Sequence, residues 1–278
     1  MEDRKAFIVG ISGASSSGKT TLARLLRDVF PNTFVLHEDD FYRAETELPY
    51  KEGLLDWDCA QAINIPDMKR ALEHIRAHGT FPPFVDSKED QNSIGECPVP
   101  NAAIISARAR VSQWLQPGQP GHAILAANSK LRVCLVDGFL LYSPELEAGG
   151  IPALLDARLF LLVSRARATQ RRQRRDGYVT LEGFWADPPG YVEKVVWPNY
   201  AAAHAGLFVG GDVDAGRLDE RALREKGIRA QADRGLDVDM ETTFNWAVET
   251  LMRELEKVFG EGEGKGKGEG EGGEEGER

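Results

Sequence analysis

Gly13-Ala14-Ser15-Ser16-Ser17-Gly18-Lys19-Thr20 is the stretch that decides the fold. It matches G-x-x-x-x-G-K-[ST], the eight-residue pattern of a phosphate-binding loop. An apolar run, Phe7-Ile8-Val9-Gly10-Ile11, stands before it and reads as a buried parallel strand. Thr21-Leu22-Ala23-Arg24-Leu25-Leu26-Arg27 follows, with apolar residues at helical spacing. Strand, glycine-rich loop and helix together make an anion trap. Backbone N–H groups of the loop and of the helix N-terminus point at phosphate oxygens. Lys19 is placed to reach the β/γ-phosphates, and the Thr20 hydroxyl to ligate Mg²⁺. The loop predicts binding of a nucleoside triphosphate.

Outward from the loop, short apolar runs alternate with helical patterns. Thr33-Phe34-Val35-Leu36-His37 reads as a second strand, and a helix follows Pro66 with apolar residues at 68, 71, 72 and 75. Arg132-Val133-Cys134-Leu135-Val136-Asp137 and Ala157-Arg158-Leu159-Phe160-Leu161-Leu162-Val163 read as further buried strands. Leu207-Phe208-Val209 is the candidate for a last strand, and residues 241–259 for a final amphipathic helix. The pattern predicts an α/β fold of the P-loop NTPase type: a doubly wound parallel sheet flanked by helices. Residues 1–259 are expected to form one kinase-sized domain. Polar insertions are expected at about 79–130, with a helix near 102–115, and at about 206–240.

Composition bounds the rest. The chain has 278 residues and a net charge of −10. Residues 260–278 alternate glycine with seven acids and three bases, a composition expected to stay disordered because it cannot bury apolar surface. An acidic body argues against nucleic acid as a partner. No apolar run approaches the ~18 residues of a membrane span. The three cysteines, Cys59, Cys97 and Cys134, form no paired motif, which fits free thiols in a reducing compartment. A cytoplasmic monomer is expected.

Several side chains carry candidate chemistry. Asp137 ends an apolar strand, where a carboxylate can organise Mg²⁺ or simply form a turn. Asp39 and Asp40 follow the second strand and so emerge at the same edge of the sheet as the phosphate loop. A hydroxyl attacking a γ-phosphate needs a carboxylate to accept its proton, and Asp39 is the candidate base. A solvated acidic turn would read alike but for Phe41-Tyr42, which suggests a pocket for a ring. Leu55-Asp56-Trp57-Asp58 repeats the pairing of carboxylate with aromatic, suited to a ribose diol and its base; a tryptophan among leucines is also common in cores. Arginines 165, 167, 171, 172, 174 and 175 read as a kinase lid closing over the triphosphate, or as a solvated basic face. His74 and His78 stand four apart on the helix after Pro66 and read as a surface pair.

The ordered set GASSSGKTT (13–21), EDDFY (38–42), LDWD (55–58), DGFLLY (137–142), the arginine segment ending in Tyr178, and Pro189-Gly190-Tyr191 with Val196-Trp197-Pro198 resembles the nicotinamide riboside kinases. That family belongs to the uridine-kinase-like branch of phosphate-loop kinases. The resemblance implies transfer of the γ-phosphate of ATP, with Mg²⁺, to the 5′-hydroxyl of nicotinamide riboside, a step of NAD biosynthesis. It implies Asp39 as catalytic carboxylate beside Lys19, and Asp58 with Arg172 on the ribose. Tyr42, Trp57 and Tyr178 would wall the pyridine ring. The nucleotide would lie on Gly13, Ser15, Ser16, Ser17, Gly18, Lys19, Thr20, Thr21, Arg171 and Arg175, with Thr20 and Asp137 toward the metal. Aromatic faces attract a cationic pyridinium by about 0.5–2 kcal/mol each. Two departures stand out: Asp137 replaces a glutamate common in the family, and the arginine segment aligns only with one inserted residue before Tyr178. A uridine/cytidine kinase and a non-catalytic nucleotide sensor are the alternatives.

Overall fold

The computed structural model describes residues 4–87, 95–127, 130–174, 177–180 and 183–260, with the side chains of 178–180 excepted. Its centre is a five-stranded sheet. In chain order the elements are β1 (Ala6–Gly13), α1 (Lys19–Val29), β2 (Thr33–His37), a hairpin of β3 (Tyr50–Lys51) and β4 (Leu54–Leu55), α2 (Ile65–His78), α3 (Asn101–Trp114), β5 (Arg132–Asp137), α4 (Pro144–Ala148), β6 (Ala157–Leu161), α5 (Arg165–Gln173), a hairpin of β7 (Tyr178–Thr180) and β8 (Gly183–Trp185), α6 (Trp197–His204), α7 (Glu220–Lys226), β9 (Ile228–Ala230) and α8 (Met240–Phe259). The sheet order is β2-β5-β1-β6-β9 and every pairing in it is parallel.

Period-two alternation sends the two faces of β1 into separate cores. Phe7, Val9 and Ile11 pack with Leu22 and Leu26 of α1, Trp114 of α3, and Phe244 and Val248 of α8. Ala6 and Ile8 face Met68 and Leu72 of α2 and the aromatic group Phe160, Trp197 and Tyr200. These side chains are almost wholly buried, each large one stabilising the fold by about 1.5–3 kcal/mol. The expected doubly wound sheet is the one observed.

Two expectations are corrected. Leu207-Phe208-Val209 is not a strand: the chain turns there in short 3₁₀ segments, and Phe208 packs edge-on against Phe160. The fifth strand is β9, inside the 206–240 stretch read as a polar insertion, and it pairs with β6 from Arg158 to Phe160. The expected helix near 102–115 is α3, which buries Ala107, Val111 and Trp114 against α1 and α8, so this part of the 79–130 stretch belongs to the core. His74 and His78 stack ring on ring on α2, and no metal-holding cluster occurs among the described residues. No described helix is long and apolar enough to cross a membrane. Apart from Gly260, the 260–278 tail lies outside the described residues.

Candidate active site

The parallel register brings the ends of β1, β2 and β5 to one edge of the sheet, where Asp137 stands between His37 and Ile11. The phosphate loop leaves β1 at this edge. Gly13 has φ +147°, and a Cβ there would stand 2.5 Å from the Leu161 carbonyl oxygen, so only glycine fits. Gly18, at φ +102°, caps α1 in the left-handed region. Lys19 Nζ donates to the Ala14 carbonyl at 3.0 Å, curling over the loop. The Ser16 and Ser17 hydroxyls are buried without a hydrogen-bond partner in the structure, which phosphate oxygens would supply. Thr20 Oγ1 donates to Asp137 Oδ2 at 2.5 Å, and His37 Nδ1 lies 3.3 Å from the same oxygen. Burial would raise the Asp137 carboxyl, but the hydrogen bond from His37 and the charge of Lys19 draw it below the usual carboxylate range. An ionised carboxylate against a hydroxyl at a phosphate cradle is an oxygen-donor set suited to Mg²⁺.

Arg172 of α5 joins this loop to a second group of residues. Its Nη1 donates to Ser15 Oγ at 3.0 Å and to Asp58 Oδ1 at 2.7 Å, and its Nη2 to Asp58 Oδ2 at 3.0 Å. The other side of the guanidinium grips Asp187, Nε to Oδ2 at 2.6 Å and Nη2 to Oδ1 at 3.1 Å. Both carboxylates are held in a planar fork that lysine cannot reproduce. Burial pushes the Asp58 carboxyl upward, and the arginine opposes that shift. The phenol of Tyr42 is raised well above its ordinary range by burial, then by the charges of Asp39 and Asp58. Tyr42, Asp39, Asp58 and Arg172 therefore share one electrostatic neighbourhood. Asp39 itself is exposed, on the 3₁₀ turn Glu38–Phe41 that follows β2.

Aromatic rings stand around these groups. Tyr42 meets Trp57 edge to face at 5.3 Å, Trp185 lies 5.8 Å from Trp57, and Tyr191 lies 5.9 Å from Trp185. Arg171 Nη1 reaches the Ser16 carbonyl at 3.2 Å. Arg175 and the side chain of Tyr178 lie outside the described residues. The backbone of Tyr178 pairs with Trp185 across the β7–β8 hairpin.

No family model matches the chain. Among known proteins, the nicotinamide riboside kinase of Schizosaccharomyces pombe is 36% identical over 253 residues, 91% of this chain and 99% of its own length. This chain belongs to the nicotinamide riboside kinase family. The nicotinamide riboside kinase of Eremothecium gossypii is 36% identical over 213 residues, 76% of this chain and 81% of that one. The enzyme of that name from Saccharomyces cerevisiae is 31% identical over 231 residues, 82% and 89% of the two chains. The family resemblance read from the motifs is thereby upheld.

Sequence reasoning gave no site role to His37, Trp185 or Asp187, and quoted Tyr191 only as part of a motif. Asp187 is half-buried, holds Arg172, and also accepts from Trp185 Nε1 at 3.2 Å. Tyr191 is buried, and its hydroxyl accepts the Trp57 backbone N–H at 3.0 Å. Trp185, Asp187 and Tyr191 all lie within the run F-W-A-D-P-P-G-Y (184–191), of which the sequence reading used only the closing P-G-Y.

Proposed function

We propose that this protein transfers the γ-phosphate of ATP to the 5′-hydroxyl of nicotinamide riboside, yielding nicotinamide mononucleotide and ADP, a step toward NAD. The supporting observation is the Arg172 hub, which ties a phosphate loop through Ser15 to a carboxylate, Asp58, set among aromatic rings. Asp58 would accept hydrogen bonds from the ribose diol. Asp39, on the rim beside Tyr42, would accept the proton of the 5′-hydroxyl as its oxygen attacks phosphorus. Lys19 and Arg171 would offset charge on the transferring group, with Arg175 assisting. Thr20 and Asp137 would hold Mg²⁺, which supplies neutralisation of the phosphate oxygens when bound. Tyr42, Trp57 and Trp185 would offer ring faces to a pyridinium, whereas a neutral uracil would call for polar partners. The reading takes the enzyme as a cytoplasmic monomer.

Incubating the protein with ATP·Mg²⁺ and nicotinamide riboside, with mass detection of the products, tests it. Equimolar nicotinamide mononucleotide and ADP is the expected result. ATP hydrolysis without phosphorylated riboside would overturn it.

A further inference from the structure

Two residues before Asp58 stands a second buried carboxylate for which the proposed chemistry has no use. Asp56 is 4% exposed. Asn199 Nδ2, from α6, donates to both of its oxygens at 2.9 Å, and the Asp58 backbone N–H donates to its Oδ1 at 3.0 Å. Lys51 Nζ, from the β3–β4 hairpin, donates to Asn199 Oδ1 at 2.6 Å. The carboxamide is thus oriented at both ends: oxygen on an ammonium, nitrogen on a carboxylate. A flipped amide would set like against like at both contacts. The backbone around Asp56 is held as completely. Asp56 N–H donates to the Pro49 carbonyl at 2.8 Å, and Trp57 N–H to the Tyr191 hydroxyl at 3.0 Å. Every backbone N–H from 56 to 58 is therefore committed, to Pro49 just before the hairpin, to Tyr191, or to the Asp56 side chain itself.

A buried carboxylate held by neutral donors is a poor device for stability, because taking a charge out of water without a paired cation is costly. What it supplies is geometry. We infer that Asp56 and Asn199 are positioning residues for the riboside: together they fix the Asp58 carboxylate and the Trp57 ring against α6, and Lys51 sets the orientation of Asn199. The inference rests on the reading of Asp58 as the ribose-holding group. It extends the substrate machinery to Asn199 of α6, 143 positions beyond Asp56 in the chain.

Steady-state kinetics on Asn199→Ala, Asn199→Asp and the exchanged pair Asp56→Asn/Asn199→Asp test it, with melting temperature and ATP affinity read on each. Asn199→Ala should raise the riboside KM by roughly tenfold, as expected for a reacting partner displaced by a fraction of an ångström, with ATP affinity within about twofold of wild type. Asn199→Asp sets two carboxylates face to face and should raise that KM further. The exchanged pair again sets an amide against a carboxylate and keeps an acceptor for the Asp58 N–H. It should return the riboside KM to within about threefold of wild type. An unchanged riboside KM in both single variants would overturn the inference. So would an exchanged pair no better than Asn199→Asp, or lowered melting temperature and kcat at constant riboside KM, the mark of a merely structural contact. If wild type prefers uridine, the nicotinamide reading falls, and the same ratios measured with uridine still decide the positioning role.

Discussion

The phosphate loop and the riboside pocket meet at Arg172 yet are built in opposite ways. The loop is one stretch of eight residues whose geometry is local, set by Gly13 and Gly18 and by the first turn of α1. Its donors are backbone N–H groups, which any phosphate would satisfy. The pocket gathers Tyr42, Trp57 with Asp58, Arg172 and Trp185 with Asp187 from segments far apart, and each contact is made by side chains. Phosphate binding is thus general and robust, while substrate choice depends on long-range packing. Substitutions should separate the two ends.

The largest effect is expected where the ends must act together. Asp39→Ala should lower kcat by about 10²–10⁴-fold while leaving ATP affinity near wild type; near-normal turnover would remove Asp39 as the base. Next, Arg172→Ala strands the buried Asp58 carboxylate, takes the cation from half-buried Asp187, and should cost about 3–5 kcal/mol of stability in chemical denaturation. It is the variant that should weaken both substrates, and Arg172→Lys should not restore them. An effect on the riboside alone would cut the proposed link through Ser15. Trp185→Ala should touch one end only, raising the riboside KM by about three- to thirtyfold through lost ring contact, with ATP unaffected.

The smallest effect on turnover is expected at Glu38, beside the base. It is wholly buried, one oxygen accepting the Leu140 N–H at 3.0 Å, and burial pushes its carboxyl up to about 8. The folded pKa lies above the ordinary value of 4.5, so between those values the native chain binds more protons than the unfolded one. Its contribution to stability is therefore full below about pH 4.5 and is lost as pH rises toward 8. Glu38→Gln should flatten that fall in urea titrations from pH 5 to 8. An unchanged slope would place the proton elsewhere.

Legibility in the sequence followed the same division. The loop, β1, β2, β5 and β6 carry contiguous signals, and all four strands were readable as apolar runs. β9 was not, because Ile228-Arg229-Ala230 is a three-residue edge strand with an arginine at its centre. Leu207-Phe208-Val209 has strand composition, but Gly210 and Gly211 turn the chain with positive φ just beyond it, and two of the three side chains serve as core wedges. Among site residues, Asp39, Tyr42, Trp57, Asp58 and Arg172 stand in motifs. His37 gains meaning only once β2 is paired with β5, which sets it beside Asp137. Trp185 and Asp187 lie on and after a hairpin too short for periodicity, and Asn199 matters only through Asp56.

The central claim is that aromatic faces beside Asp58 select a cationic pyridine riboside. It is tested most directly by kcat/KM with ATP·Mg²⁺ for nicotinamide riboside, uridine and cytidine side by side. The expected result is nicotinamide riboside ahead by about tenfold or more, the worth of one to two desolvated cation–ring contacts. A preference for uridine or cytidine would contradict it.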